Sequence, residues 1–256
     1  MKFSPVISFF LLLIIVCCES DNPTPQNARD AFIAARTEYD NENYDLSLTS
    51  LAEFKTQFPY SQYAIDAELM LANANFFLER YAEAAAAYEQ FISLHPKHSK
   101  AAYAQFQVGQ SYWEQAPEAI DREQDITRHA LDAWATLVEM YPSSNWAKQA
   151  RELILEGEER IAKNEAIAAQ YYCEQGIWHA CAYRSLYVVE NFARFQTVAS
   201  PAAEQAAEAF EKLANLRETI EDSKELDKNL FFKNMTANQL RDKSIQMKKI
   251  QQKLES

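Results

Sequence analysis

A block of sequence recurs at a fixed interval of 37 residues, and this repetition constrains the fold more than any other feature. When residues 44–59 are laid over residues 81–96, Tyr44 aligns with Tyr81, Phe54 with Phe91 and Pro59 with Pro96. A third copy closes at Pro142, nine residues later than the interval requires, so the third unit carries an insertion. A period of this length is typical of stacked structural repeats, in which each unit contacts only its neighbours.

Each unit has the pattern of two helices that pack against each other. Phe32, Ala35 and Tyr39 are spaced i, i+3 and i+7, which puts them on one helical face, and the same spacing recurs later in the unit. The closing proline stops the second helix because it lacks the N–H and clashes with the preceding turn. The pattern resembles the tetratricopeptide repeat (TPR). We therefore predict an all-α fold, a right-handed superhelix of about five TPR-like helical hairpins.

Glycine content supports the helical prediction. The chain contains 3 glycines among 256 residues, which is too few for the tight turns of a many-stranded sandwich or barrel. The sequence also lacks any glycine-rich loop that could hold a nucleotide phosphate.

The fourth and fifth units depart from the regular pattern. Residues 144–175 contain no proline and predict one long helix in the fourth hairpin, which Gly176 ends. A fifth hairpin is predicted to open with Ser200 as the N-cap and Pro201 as the first helical residue. Beyond it, residues 233–256 form a charged tail that we expect to be disordered or to become helical on a partner.

The N-terminus has the pattern of a bacterial lipoprotein signal. A nearly uninterrupted apolar run, residues 6–16, is too short to span a membrane, which takes about 20 residues. The run ends at two cysteines, and Cys18 is a better acylation site than Cys17 because a smaller residue precedes it. We predict a signal peptide over residues 1–17 and a polar linker over residues 18–26. An ordinary secretory signal is the alternative.

The charge balance limits the kind of partner. The formal net charge is −12, so the phosphates of nucleic acid and of an anionic membrane surface would be repelled. We expect an acyl chain, such as palmitate, and protein partners to hold the chain in place.

No residue pattern indicates catalysis. Two of the 4 histidines, His95 and His98, flank Pro96 in a turn and do not have the spacing of metal ligands on a helix. No nucleophile stands in a known motif beside a base. We expect a protein that is not an enzyme and binds no cofactor or metal.

Cys173 and Cys181 lie on either side of Gly176 and would approach each other on antiparallel helices. Spacing alone does not fix the distance that a disulfide requires. The sequence therefore leaves two alternatives for this pair, a disulfide or two small buried thiols.

Aromatic residues on the first helices of the hairpins are candidates for a binding groove. Stacked hairpins form extended binding surfaces, and aromatic pockets suit the side chains of an extended peptide. The candidates are Tyr39, Phe76, Tyr103 and Trp113. Packing between repeats is the alternative for each of them. The insertion at residues 115–124 is either a partner-facing loop or a solvated loop.

The order of these motifs resembles the BamD family of TPR lipoproteins, which belongs to the outer-membrane β-barrel assembly machinery. The segments that carry the resemblance follow the lipoprotein signal in the order of the family and are residues 58–64, 81–84, 122–125, 141–144, 153–165, 171–172 and 180–184. They span nearly all of the chain beyond the signal peptide.

The resemblance implies a non-catalytic scaffold that assists the insertion of β-barrel proteins and is lipid-anchored at the periplasmic side of the outer membrane. Residues 27–142 would bind unfolded outer-membrane clients, and residues 143–232 would dock a POTRA domain of the barrel subunit BamA, beside other lipoproteins of the complex. The docking candidates on this basis are Arg122, Asp125, Glu165, Tyr172 and Arg184. The alternative is a periplasmic TPR protein of cell-envelope maintenance, similar to the Tol–Pal coordinator.

Overall fold

The computed structural model describes residues 27–219, residue 232 and residues 234–256. The predicted signal peptide, the linker and both candidate acylation sites, Cys17 and Cys18, lie outside these residues.

The described part of the chain contains ten α-helices, which pair in chain order into five antiparallel hairpins and confirm the all-α, TPR-like superhelix. The helices are α1 Ala28–Asp40, α2 Tyr44–Gln57, α3 Ala64–Phe77, α4 Tyr81–Leu94, α5 Ala101–Gln115, α6 Asp125–Met140, α7 Asn145–Glu174, α8 Trp178–Phe192, α9 Gln196–Thr219 and α10 Ala237–Glu255. Each hairpin packs on the next through its second helix. Within the described residues, none of the helices is both long and apolar enough to cross a membrane.

The second helices of the first three hairpins end in the same way. Phe58, His95 and Tyr141 have φ of −131°, −130° and −132°, each with ψ of 53°, and each precedes a proline. Each backbone N–H still bonds to the carbonyl four residues earlier. Proline forces the residue before it out of the helical conformation, so the predicted stop signals are confirmed.

The first helices of the first, second and fourth hairpins end in a left-handed turn, and only the fourth has glycine there. Gly176 has φ of 68°, but Glu42 and Glu79, which are 37 residues apart, have φ of 63° and 59°. After Glu42, the N–H of Asn43 donates to the carbonyl of Glu38 at 2.9 Å, which closes a Schellman turn. A glutamate adopts this conformation at a steric cost, so packing between the two helices imposes the turn.

The fifth hairpin begins earlier than predicted. Helix α9 starts at Gln196 and includes Pro201 in its second turn, so Ser200 is not the N-cap. Val198 and Ala199 are buried, and this apolar contact extends the helix through the first turns. The hydroxyl of Ser200 instead donates to Glu255 of α10 at 2.8 Å.

The described part of the tail, residues 234–256, contains a packed helix, so the expectation of a disordered or partner-induced segment at residues 233–256 is corrected. Helix α10 begins with a capping box between Thr236 and Gln239 and packs along α9. Its buried face is Leu240, Ser244 and Met247, in which a small polar residue interrupts the apolar stripe. Because of this serine, the apolar periodicity of α10 is weak in the sequence.

Candidate functional site

A groove of about 720 Å³ lies along the first helices of the first three hairpins and is bounded by the start of α7. Such a volume is typical of a binding cleft. Its lining residues are Phe32, Arg36, Tyr39, Asp40, Asp66, Leu69, Met70, Asn73, Ser99, Lys100, Tyr103 and Trp146.

The lining follows the repeat. Leu69 and Asn73 of α3 lie 37 residues after Phe32 and Arg36 of α1, and Tyr103 of α5 lies 37 residues after Asp66. Equivalent positions of successive hairpins therefore form one continuous surface. A surface that repeats along one direction suits a ligand that is itself linear.

Two of the four groove candidates line this surface and two do not. Tyr39 and Tyr103 are lining residues, and both are half-buried. The hypothesis that Phe76 and Trp113 line it as well is corrected, since neither is among its lining residues.

Phe76 and Trp113 have packing roles in the structure. The ring of Phe76 packs against Tyr81 at the end of its own hairpin, with centroids 5.3 Å apart. Trp113 packs against Trp134 at 5.7 Å and lies under the guanidinium of Arg160 in α7 at 5.4 Å. The 30-residue helix α7 covers this end of the third hairpin, so the aromatic position that opens on the groove in the first hairpin is an inter-helix contact here.

A polar cluster that the sequence analysis missed forms the floor of the groove. Asn73 Oδ1 accepts from the hydroxyl of Tyr88 at 2.6 Å and from that of Tyr103 at 2.9 Å. Gln107 Nε2 donates to the same Tyr103 hydroxyl at 3.3 Å. The sequence contains an indication of this cluster, because the polar Asn73 stands in the largely apolar helix α3 and needs hydrogen-bond partners there.

The hydroxyls of the cluster stay protonated at neutral pH. Burial raises the pKa of Tyr39 to about 12, and the neighbouring Asn73 side chain opposes part of that rise. Burial also raises the pKa of Tyr88 and of Tyr103. A neutral phenol both donates and accepts, so these groups can bridge an amide and a ligand.

Aromatic rings stand at both ends of the groove. Phe32 stacks on Tyr63 with centroids 4.9 Å apart, and Trp146 contacts Tyr103 edge-on at 5.1 Å. The half-buried rings of Tyr103 and Trp146 offer rigid apolar faces to the side chains of a ligand, whereas Phe32 is buried in the core of the first hairpin.

Among the docking candidates, Glu165 is the centre of a structural ion cluster. It is 8% exposed, accepts from Arg184 of α8 at 2.7 Å and from Arg128 of α6 at 3.2 Å, and so joins the third and fourth hairpins. A carboxylate held by two guanidiniums inside the fold is occupied by its own chain. The structure thus brings Glu165 and Arg184 together.

The other docking candidates are separate from that cluster. Arg122 and Asp125 are exposed at the insertion and the start of α6, and Tyr172 is half-buried beside Tyr171, with ring centroids 5.6 Å apart.

The insertion is anchored on the long helix. Asn164 of α7 donates from Nδ2 to the carbonyls of Ile120 at 2.6 Å and Arg122 at 3.0 Å. The buried Gln124 donates to the carbonyls of Ala119 and Arg122, both at 3.1 Å. These bonds fix the backbone of the insertion and leave the Arg122 side chain exposed.

Cys173 and Cys181 form a disulfide in the structure, with S–S of 2.10 Å and Cα–Cα of 4.8 Å. The bond spans the turn at Gly176 and joins the end of α7 to the first turn of α8. Cys181 is buried in the apolar core of the last two hairpins.

The sequence matches known proteins over most of its length. The YfiO family model, described as "Outer membrane lipoprotein", matches residues 25–228. Three curated relatives carry the name outer membrane protein assembly factor BamD. The protein from Caulobacter vibrioides is 30% identical over 59% of this chain and 50% of its own length. The Neisseria gonorrhoeae protein is 27% identical over 63% and 64%, and the Vibrio cholerae protein is 21% identical over 88% and 98%.

The chain therefore spans about half to two thirds of the length of the first two relatives and nearly all of the third. Two solved TPR structures are similar to it. The TPR2AB domain complex of yeast Sti1 has a TM-score of 0.44 at 10% identity, covering 90% of this chain and 98% of that one. A tetratricopeptide repeat protein from Parabacteroides merdae has a TM-score of 0.39 at 17% identity, covering 90% and 93%.

Proposed function

The chain belongs to the YfiO family of outer membrane lipoproteins, and from that membership we propose that it is a non-catalytic scaffold and client-recognition subunit of the outer-membrane β-barrel assembly machinery. The observation that carries the proposal is the family match over residues 25–228, which include the first nine helices. Relatives named as outer membrane protein assembly factors support it.

The family and two features of the chain support the proposed location. Family membership associates the chain with the outer membrane. We propose that acylation at Cys18, or less favourably at Cys17, anchors the chain on the periplasmic side. The disulfide between Cys173 and Cys181 supports this location, because such bonds persist in oxidising compartments such as the periplasm.

We propose that the two halves of the stack have different partners. The groove belongs to residues 27–142 together with Trp146, and we assign to it the binding of unfolded outer-membrane clients. We assign the docking of a POTRA domain of a BamA-like barrel subunit to residues 143–232. The exposed Arg122 and Asp125, on the fixed insertion next to this half, are accessible to such a partner.

Affinity capture from envelope extract tests the proposal. The full chain with a C-terminal tag, solubilised in mild detergent, is expected to recover the BamA-like barrel subunit together with other lipoproteins of the complex. Depletion of the chain is expected to lower the amount of folded β-barrel proteins in the outer membrane. Recovery of Tol–Pal components without the barrel subunit would contradict the proposal and favour a role in cell-envelope maintenance.

A further inference from the structure

Tyr39 and Asn73 line the groove and carry hydrogen-bond donors that have no acceptor in the described part of the chain. Asn73 Oδ1 already accepts from Tyr88 and Tyr103, which uses both of its lone pairs. The Asn73 amide lies beside the hydroxyl of Tyr39, and both residues line the groove. Within the part of the chain that the structure describes, no hydrogen bond takes up the Tyr39 proton or the N–H groups of the Asn73 amide, since both bonds of Asn73 are made by its oxygen.

The charges along the groove favour an uncharged ligand. Arg36 and Lys100 are matched in number by Asp40 and Asp66, and Arg36 is paired with Asp40 at 3.3 Å. A binding site for an anion or a cation would carry an excess of one sign. The donors at Tyr39 and Asn73 therefore suit a neutral acceptor, such as the carbonyl group of a peptide bond.

The shape of the groove favours an extended chain. Its lining positions repeat every 37 residues across three hairpins, so it offers similar contacts at successive points along a line. A segment that will become a strand of a membrane β-barrel is a linear ligand of this kind before the barrel folds, and its apolar and polar side chains alternate. One row of its side chains can contact the half-buried rings of Tyr103 and Trp146 while its carbonyls face the floor of the groove.

We propose that Tyr39 and Asn73 bind main-chain carbonyl groups of an unfolded polypeptide strand laid along the groove. The proposal rests on the client-binding role given above and specifies how that role is performed. Since every peptide bond offers the same carbonyl, contacts of this kind give affinity that depends little on the client's sequence. The aromatic contacts add the preference for membrane strands.

Two substitutions remove the donors and keep the rest of the groove. Asn73→Asp retains an oxygen acceptor for Tyr88 and Tyr103 but replaces the donating amide, and Tyr39→Phe removes only the hydroxyl. Asn75→Asp is the matched control, because it makes the same chemical change two residues later on α3 and Asn75 does not line the groove. Thermal unfolding of each variant verifies that it folds.

The binding measurement uses fluorescence anisotropy of the full chain with a labelled ten-residue peptide from the last membrane strand of a β-barrel protein. Asn73→Asp and Tyr39→Phe are each expected to weaken binding about 3- to 10-fold, while Asn75→Asp stays within about 2-fold of the wild type. A series of peptides tests the carbonyl contacts directly, because in each of them one peptide bond is replaced by an ester, whose carbonyl is a weaker acceptor. We expect the ester at one position to weaken binding to the wild type. The same ester should not weaken binding to Tyr39→Phe any further.

The outcomes separate this inference from the proposed function. If the wild type binds the peptide and both groove variants bind it equally well, the inference is wrong and the client-binding role stands. If the wild type does not bind the peptide at all, the client-binding role fails and the inference fails with it.

Discussion

Gly109 of α5 lies directly against the indole of Trp134 in α6. A Cβ atom added at position 109 would be 2.3 Å from Nε1 of Trp134, far closer than any van der Waals contact. The indole cannot move aside, because it is fully buried and its N–H donates to the carbonyl of Phe106 at 3.1 Å. Glycine is therefore required where the two helices of the third hairpin cross.

We expect Gly109→Ala to lower the free energy of unfolding by about 1–3 kcal/mol through overpacking. Gly157→Ala is the comparison, since its added Cβ would meet the terminal Cδ2 of Leu131 at 2.5 Å, an atom that side-chain rotation can displace. Urea denaturation measures both variants. A loss at Gly109 no larger than that at Gly157 would contradict the close contact.

Removal of the disulfide is expected to destabilise the fourth hairpin. The cross-link between Cys173 and Cys181 closes a loop of 8 residues, for which the entropy lost by the unfolded chain corresponds to about 2–3 kcal/mol. Thermal unfolding with and without a reductant measures the effect, and the double alanine variant should not respond to the reductant. Two free thiols in the unfolded, non-reduced protein would show that the bond is absent.

The ion cluster at Glu165 is expected to contribute to stability where an exposed pair on the same helix does not. Glu165→Gln leaves Arg128 and Arg184 without their carboxylate and should lower the free energy of unfolding by about 1–2 kcal/mol. This range is smaller than for a fully buried pair because both guanidiniums are partly exposed. Glu159→Gln, which breaks an i,i+4 pair with Lys163 at 2.8 Å, should cost less than about 0.5 kcal/mol. Chemical denaturation that finds the two variants equal would show that Glu165 has no special structural role.

Stability is expected to fall at alkaline pH because of the tyrosine cluster. Burial holds the pKa of Tyr39 at about 12, so between about pH 10 and 12 the unfolded chain releases a proton that the folded chain retains, and unfolding becomes easier as pH rises. Tyr88 and Tyr103 act in the same direction. Tyr39→Phe should flatten the decline in denaturation experiments between pH 9 and pH 11.5, whereas Tyr60→Phe, at a side chain that is 99% exposed, should leave it as steep as in the wild type.

Membrane attachment is expected to depend on the cysteines of the signal sequence. Replacement of both Cys17 and Cys18 by alanine should move the protein from the membrane fraction to the soluble fraction, and replacement of Cys18 alone should suffice. Fractionation followed by immunoblotting measures the distribution. A double variant that stays in the membrane fraction would exclude an acyl anchor.

The architecture could be predicted where the sequence signal is local and repeated. The prolines after Phe58, His95 and Tyr141 act on the residue before them, and Gly176 acts on its own φ, so hairpin ends and the long helix follow from the sequence. The helix in the tail could not be predicted from the sequence, because the buried face of α10 depends on contact with α9 and contains Ser244.

The site could be predicted only in part, for a related reason. Their place as aromatic residues on the first helices of the hairpins identified Tyr39 and Tyr103, but the same argument selected Phe76 and Trp113, which pack elsewhere. Which copy of a repeated position faces the groove depends on its neighbours in the stack, which are Tyr81 of α4 for Phe76 and Arg160 of α7 for Trp113. Asn73 was missed because its importance lies in long-range bonds to tyrosines on two other helices.

The packing of α10 against α9 has a consequence for the molecule as an assembly. A stack of identical hairpins has no inherent last member, because each apolar face can accept another hairpin, including one from a second molecule. Helix α10 buries Leu240 and Met247 against α9, and it carries Lys248, Lys249 and Lys253 on its exposed surface. The last described hairpin thereby presents a charged outer surface, which is how repeat arrays keep their terminal unit soluble.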